Sequence, residues 1–162
     1  MLTSKVVLHK IYLDQLKEMG AEVIDIEGSM VFVRFVLSDD FTVHYLYHRN
    51  PDNTFLLERI KPYQITIGEY ESEETAVANI SSDIDQIRNA RNSNKYKTFV
   101  ETFKMLIKAK RDFDDLFLYY NISGEDMQYI YDNIKLLSQS IYRTKEHSQR
   151  IYHKTEPQSL KD

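Results

Sequence analysis

The sequence predicts an α+β fold: an N-terminal helix, a five-stranded antiparallel meander, then a C-terminal bundle of two to three long helices. Three observations carry this expectation. Near the N-terminus Val6, His9, Leu13 and Leu16 recur at three- and four-residue spacing, the mark of one helical face. Between residues 23 and 68 the apolar period drops to two, in short runs separated by turn residues. From residue 72 the three-four spacing returns, and no Gly or Pro interrupts it before Gly124. The corresponding domains are residues 1–70 as a helix-covered antiparallel sheet, 71–154 as a helical hairpin or bundle, and 155–162 as a frayed tail.

Thr3 or Ser4 is a fitting N-cap for the first helix, Val7, Ile11 and Tyr12 widen its apolar face, and Met19-Gly20 closes it with the residue that best adopts a left-handed conformation. Val23, Ile24 and Ile26 form a short first strand, and Glu27-Gly28-Ser29 turns it. Residues 30–37 alternate as Val31, Val33, Phe35 and Leu37 on one side. Ser38-Asp39-Asp40 is the next turn, and residues 41–48 the third strand. Arg49-Asn50-Pro51-Asp52-Asn53 is the clearest loop in the chain. Residues 54–60 form a fourth strand and Lys61-Pro62 a break. Tyr63, Ile65 and Ile67 then alternate with Gln64, Thr66 and Gly68 in a fifth. Short links between successive strands favour antiparallel pairing, and alternation leaves one face for the N-terminal helix to cover.

A helix over residues 72–92 follows, with Val77, Ile80, Ile84 and Ile87 as its stripe and Glu73 and Glu74 at its positive end. After Ser93-Asn94 a second long helix carries Tyr96, Phe99, Phe103, Leu106, Lys110, Phe113, Phe117 and Tyr120. Asn121 ends it. Ser123 N-caps a third, with Asp126 in the acidic capping-box position, and Met127, Ile130, Ile134, Leu137 and Ile141 continue the stripe. Such seams belong to helices packed lengthwise, and the short turn at residues 121–123 favours an antiparallel hairpin. The 12 tyrosines point the same way, since tyrosine suits interfaces. Tyr131 and Tyr142 broaden the last stripe by one position each.

With 42% hydrophobic residues the chain has material for a core, and with no cysteine it has neither disulfides nor thiolate chemistry. No apolar run approaches the ~20 residues of a membrane span, and no apolar leader segment begins the chain, so the expected setting is the cytoplasm. Asn79-Ile80-Ser81 and Asn121-Ile122-Ser123 are then chance glycosylation matches. The net charge of −4 names no partner, but it is unevenly distributed. Residues 88–111 hold eight basic side chains against Glu101 alone, residues 112–132 six acidic and no basic ones, and residues 135–154 five basic ones against Glu146.

Each chemical motif has a plainer structural explanation beside it. His44 and His48 would share a metal ion on a helix. On a strand they stand ~13 Å apart, too far for one ion with ~2 Å bonds. A solvent-facing strand surface explains them better, with a ligand or partner face formed by Arg34, His44, His48 and Arg59 as the sharper alternative. Lys97, Lys104, Lys108 and Arg111 make one stripe of a helix and, with Arg88 and Arg91, suit contact with nucleic-acid phosphates or a protein partner. The plainer account is the wet face of a bundle helix. Asp112, Asp114 and Asp115 splay around a helix instead of ringing a cation. Asp39 and Asp40 sit at a turn, where nothing separates their pKa values. His9 fits the edge of a core. No nucleophilic elbow, dinucleotide fingerprint or phosphate-binding loop is present, so no catalytic residue, cofactor or metal is expected.

The expected function is accordingly that of a non-enzymatic adaptor or regulatory protein, self-associating as a homodimer through its long helices. A nucleic-acid-binding regulator using the basic stripe of residues 88–111 is the alternative.

Overall fold

The computed structural model of the protein describes residues 2–26, 30–157 and 159–160, with side chains from Val6 onward. The element order is α1 (Leu2–Glu18), β1 (Ala21–Ile26), β2 (Met30–Ser38), β3 (Phe41–Arg49), β4 (Phe55–Lys61), β5 (Ile65–Tyr70), α2 (Glu73–Arg91), α3 (Tyr96–Tyr119) and α4 (Gly124–Glu146). The α+β class, the leading helix, the five-stranded antiparallel sheet and the long helices after it are those the periodicities predict.

Helix α1 begins at Leu2, ahead of the expected cap at Thr3 or Ser4. It stops where expected, with Gly20 at φ +89°, a conformation that costs a residue without Cβ little. The sheet is a pure meander, β1-β2-β3-β4-β5, and every neighbouring pair is antiparallel. The expected turn at residues 27–29 lies outside the described residues. The fifth strand starts at Ile65, two residues later than the alternation suggests, because Tyr63 is diverted into an aromatic cluster.

The chain resolves into two compact units, Met1–Lys104 and Met105–Asp162. In the first, one face of the sheet supplies Val31, Val33, Phe35, Val43, Tyr45, Tyr47 and Leu57 to a single core. Helix α1 adds Leu13 and Leu16, and α2 adds Val77, Ile80, Ile84 and Ile87. Fully burying a side chain of this size contributes about 1.5–3 kcal/mol. Helix α1 lies against β1, and α2 lies against β3, β4 and β5, so the cover expected from α1 is shared. This departs from the expected boundary at residue 70: the stripe of α2 is used up on the sheet, and α2 goes with residues 1–70. Ser72 caps it, its Oγ accepting from the Thr75 N–H at 3.2 Å.

The start of α3 also belongs to the first unit. Tyr63 stacks on Phe103 with ring centroids 4.1 Å apart and meets Phe99 edge-on at 5.5 Å. Tyr96 meets Phe41 edge-on at 5.8 Å. The first three aromatic residues of the α3 stripe therefore pack on Tyr63 and Phe41. Burial, then the neighbouring Tyr63, pushes the Tyr96 phenol up to about 12.

The second unit holds the rest of α3, all of α4 and the C-terminal residues. Ser123 Oγ accepts from the Asp126 N–H at 3.0 Å and donates to Asp126 Oδ2 at 2.7 Å, as the capping sequence predicts. The described residues beyond α4 form no regular element.

Candidate interaction surface

Helix α4 is well determined by local chemistry. Glu125 and Asp126 occupy its first turn, and Arg143 and Lys145 its last, each sign facing the helix end that favours it. Along its apolar stripe Met127 and Ile130 are half-buried, and Ile134, Leu137 and Ile141 are exposed. No residue of α3 or α4 is buried, and within the second unit the two helices share no extended side-by-side contact. Ile134 is 59% exposed, Ile141 45% and Leu137 40%, while Phe117 on α3 is 63% exposed. Tyr131 and Tyr142 lie open beside the α4 stripe. Near the 121–123 turn a hollow of about 570 Å³ opens between Phe113 and Phe117 of α3 and Met127 of α4, with Lys110, Arg111 and Asp114 at its edge. Scattered apolar residues on a surface need no explanation, but a contiguous stripe marks a contact site.

No family model, curated protein or solved structure matches this chain. Among the described residues, no helix is long and apolar enough to cross a membrane.

Of the basic residues singled out in the sequence, Arg88 and Arg91 stand on α2 and Lys97, Lys104, Lys108 and Arg111 on α3. Arg88 is exposed on α2. Arg91 is engaged: its Nη2 donates to Ser38 Oγ at 2.6 Å, it lies 3.5 Å from Asp40, and its guanidinium sits 4.6 Å over the Phe41 ring. Lys97, Lys104 and Arg111 are exposed on α3. Lys108 pairs with Asp112 one turn on, at 2.5 Å.

The sheet-face group splits in two. Arg34, His44 and His48 share the outer face, where Arg34 donates to Glu22 at 2.9 Å. His44 packs edge-on against Phe32 at 5.3 Å. Burial, then Lys61 and Arg34, holds the His44 imidazole below its usual range. Arg59 belongs to the opposite face. It pairs in register with buried Tyr45, and its Nη1 donates to Asp83 Oδ1 and Oδ2, each at 2.8 Å. Tyr45 Oη donates to the same carboxylate at 2.7 Å, and its own pKa is pushed up by burial and by Asp83. The expectation that Arg59 joins His44 is thus corrected. Alternation sets Arg59 with Leu57 on the core side, and Asp83 of α2 compensates the charge there.

A second polar cluster is illegible in the sequence. Glu73 is 9% exposed. Its Oε1 accepts from Tyr47 Oη at 2.8 Å and lies 2.6 Å from His9 Nδ1, while His9 Nε2 is 3.3 Å from Asp25 Oδ2. A shallow hollow of about 290 Å³ beside it is lined by Leu8, Tyr12, Phe55 and Glu74, among others. Glu73 reads in sequence only as a helix-start acid, and its contact with His9 spans 64 positions, so no local signal points to it. The cluster clamps α1, the sheet and α2 together. Ser72, the nearby hydroxyl, is committed to capping.

Proposed function

We propose that this chain is a non-enzymatic, cytoplasmic interaction protein that self-associates through its long helices. The observation that carries the proposal is the continuous, unburied apolar stripe of α4, together with the open aromatic residues at the end of α3. A helix of this length draws most of its stability from packing an amphipathic face, and within the second unit α3 does not lie lengthwise against this one. The polar clusters of the first unit support the reading from the other side. Arg59, Asp83, Tyr45, Glu73 and His9 are engaged in joining elements to one another, which is structural work. Light scattering on the eluting peak tests the proposal: a particle larger than one 19.3 kDa chain is expected at high concentration, and a strictly single-chain mass overturns it.

The alternative, nucleic-acid binding along the basic stripe, has less support, since Arg91 and Lys108 already have acidic partners. It predicts binding to heterogeneous DNA or RNA that weakens steeply with salt, and no mobility shift at ~50 mM salt, a regime of strong electrostatic binding, would remove it.

A further inference from the structure

Resting on the self-association just proposed, we infer that the partner is a second copy of this chain, and that the two α4 helices pair antiparallel about Ile134. Three observations converge on this arrangement. The first is the symmetry of the stripe. Met127, Ile130, Ile134, Leu137 and Ile141 lie almost evenly about Ile134, so reversing one copy sets Met127 against Ile141 of the second copy, Ile130 against Leu137, and Ile134 against itself. No charged residue interrupts this row. The stripe of α3 is different, because the charged Lys110 interrupts it.

The second observation is charge. The first half of α4 carries Glu125, Asp126 and Asp132 and no basic residue, and the second half carries Lys135, Arg143 and Lys145 against Glu146 alone. Antiparallel pairing sets each acidic half beside a basic half and opposes the two helix dipoles. Parallel pairing aligns like with like. These charges flank the apolar row instead of filling it, so their effect is to choose orientation, which is what charge complementarity does best.

The third is area. Covering the exposed shares of Ile134, Leu137, Ile141, Tyr131 and Tyr142 removes on the order of 500 Å² per chain, hence roughly 1,000 Å² for the pair, the least that a biological interface needs. The apolar surface on α4 is therefore sufficient for a specific dimer without a third protein.

The absence of cysteine makes single-cysteine cross-linking in the full chain direct. In the antiparallel pair the two Ile134 positions face each other, whereas the two Met127 positions are ~21 Å apart along the axis, beyond the ~7 Å Cα limit of a disulfide. Under mild oxidation Ile134→Cys is expected to give a covalent dimer and Met127→Cys alone none, while a mixture of Met127→Cys and Ile141→Cys chains gives a mixed one. Ile134 and Ile141 are exposed and Met127 is half-buried, so the variants are expected to keep the fold, checked by far-ultraviolet circular dichroism. Self-linking of Met127→Cys overturns the antiparallel orientation. A native mass of two chains with no cross-link at any of these positions overturns α4 as the contact while leaving self-association standing. A single-chain native mass overturns both.

Discussion

Asp83 is the acceptor for three hydrogen bonds, two from Arg59 and one from Tyr45, and it shows how buried charge acts here. Removing one member of a buried ion pair leaves the other uncompensated, at a cost of about 3–5 kcal/mol, whereas replacing both by apolar groups costs far less. Asp83→Ala is therefore expected to lower unfolding free energy by about 3 kcal/mol, and Asp83→Leu combined with Arg59→Leu by much less. Urea denaturation of both variants checks this, and equal losses would remove the argument. His44 gives a pH prediction. Its folded pKa lies below the ordinary value near 6.5, so the unfolded chain takes up a proton first as pH falls. This stabilising contribution is complete above about pH 6.5 and is lost as pH falls toward the lowered folded value. In denaturation between pH 7.5 and 5.5, His44→Phe is expected to flatten part of the decline.

At the scale of elements, α2 and α4 carry nearly the same apolar pattern and meet different fates. Ile80 in α2 is fully buried, while Ile134 in α4 is mostly exposed. Ile80→Ala is expected to cost about 2–5 kcal/mol through lost burial and a cavity. Ile134→Ala is expected to leave the first unit's stability within about 0.5 kcal/mol and to show its effect in the concentration dependence of mass. Chemical denaturation followed by tyrosine fluorescence, run beside light scattering, separates the two outcomes. A large loss of first-unit stability in Ile134→Ala would mean that the α4 stripe serves the core after all. The α4 cap is a smaller lever: Ser123→Ala is expected to cost about 1 kcal/mol of helix stability.

For the molecule as a whole, the first unit has its own sheet, two covering helices and a buried core, and the second offers an uncovered stripe. Self-association makes apparent stability depend on protein concentration, so the thermal midpoint is expected to rise on concentrating the protein. Leu137→Asp is expected to abolish that rise and return the mass to 19.3 kDa, while the near-ultraviolet tyrosine signal of the sheet persists. A concentration-independent midpoint in the unaltered protein would count against self-association.

Local rules in the sequence determined the elements themselves. Period two placed β2 and β3, Gly20 ended α1, and Ser72 and Ser123 started α2 and α4, because capping, turn conformation and side-chain alternation act within a few residues. Tertiary structure alone decided which stripe is covered and which charge is compensated. Nothing in the spacing of Val77, Ile80, Ile84 and Ile87 distinguishes a helix laid on a sheet from a bundle helix. Likewise, Arg59 with Asp83 and His9 with Glu73 are joined across 24 and 64 positions. The physical reason is that burial belongs to the assembled surface, and an apolar edge written into one helix carries no record of what will close over it.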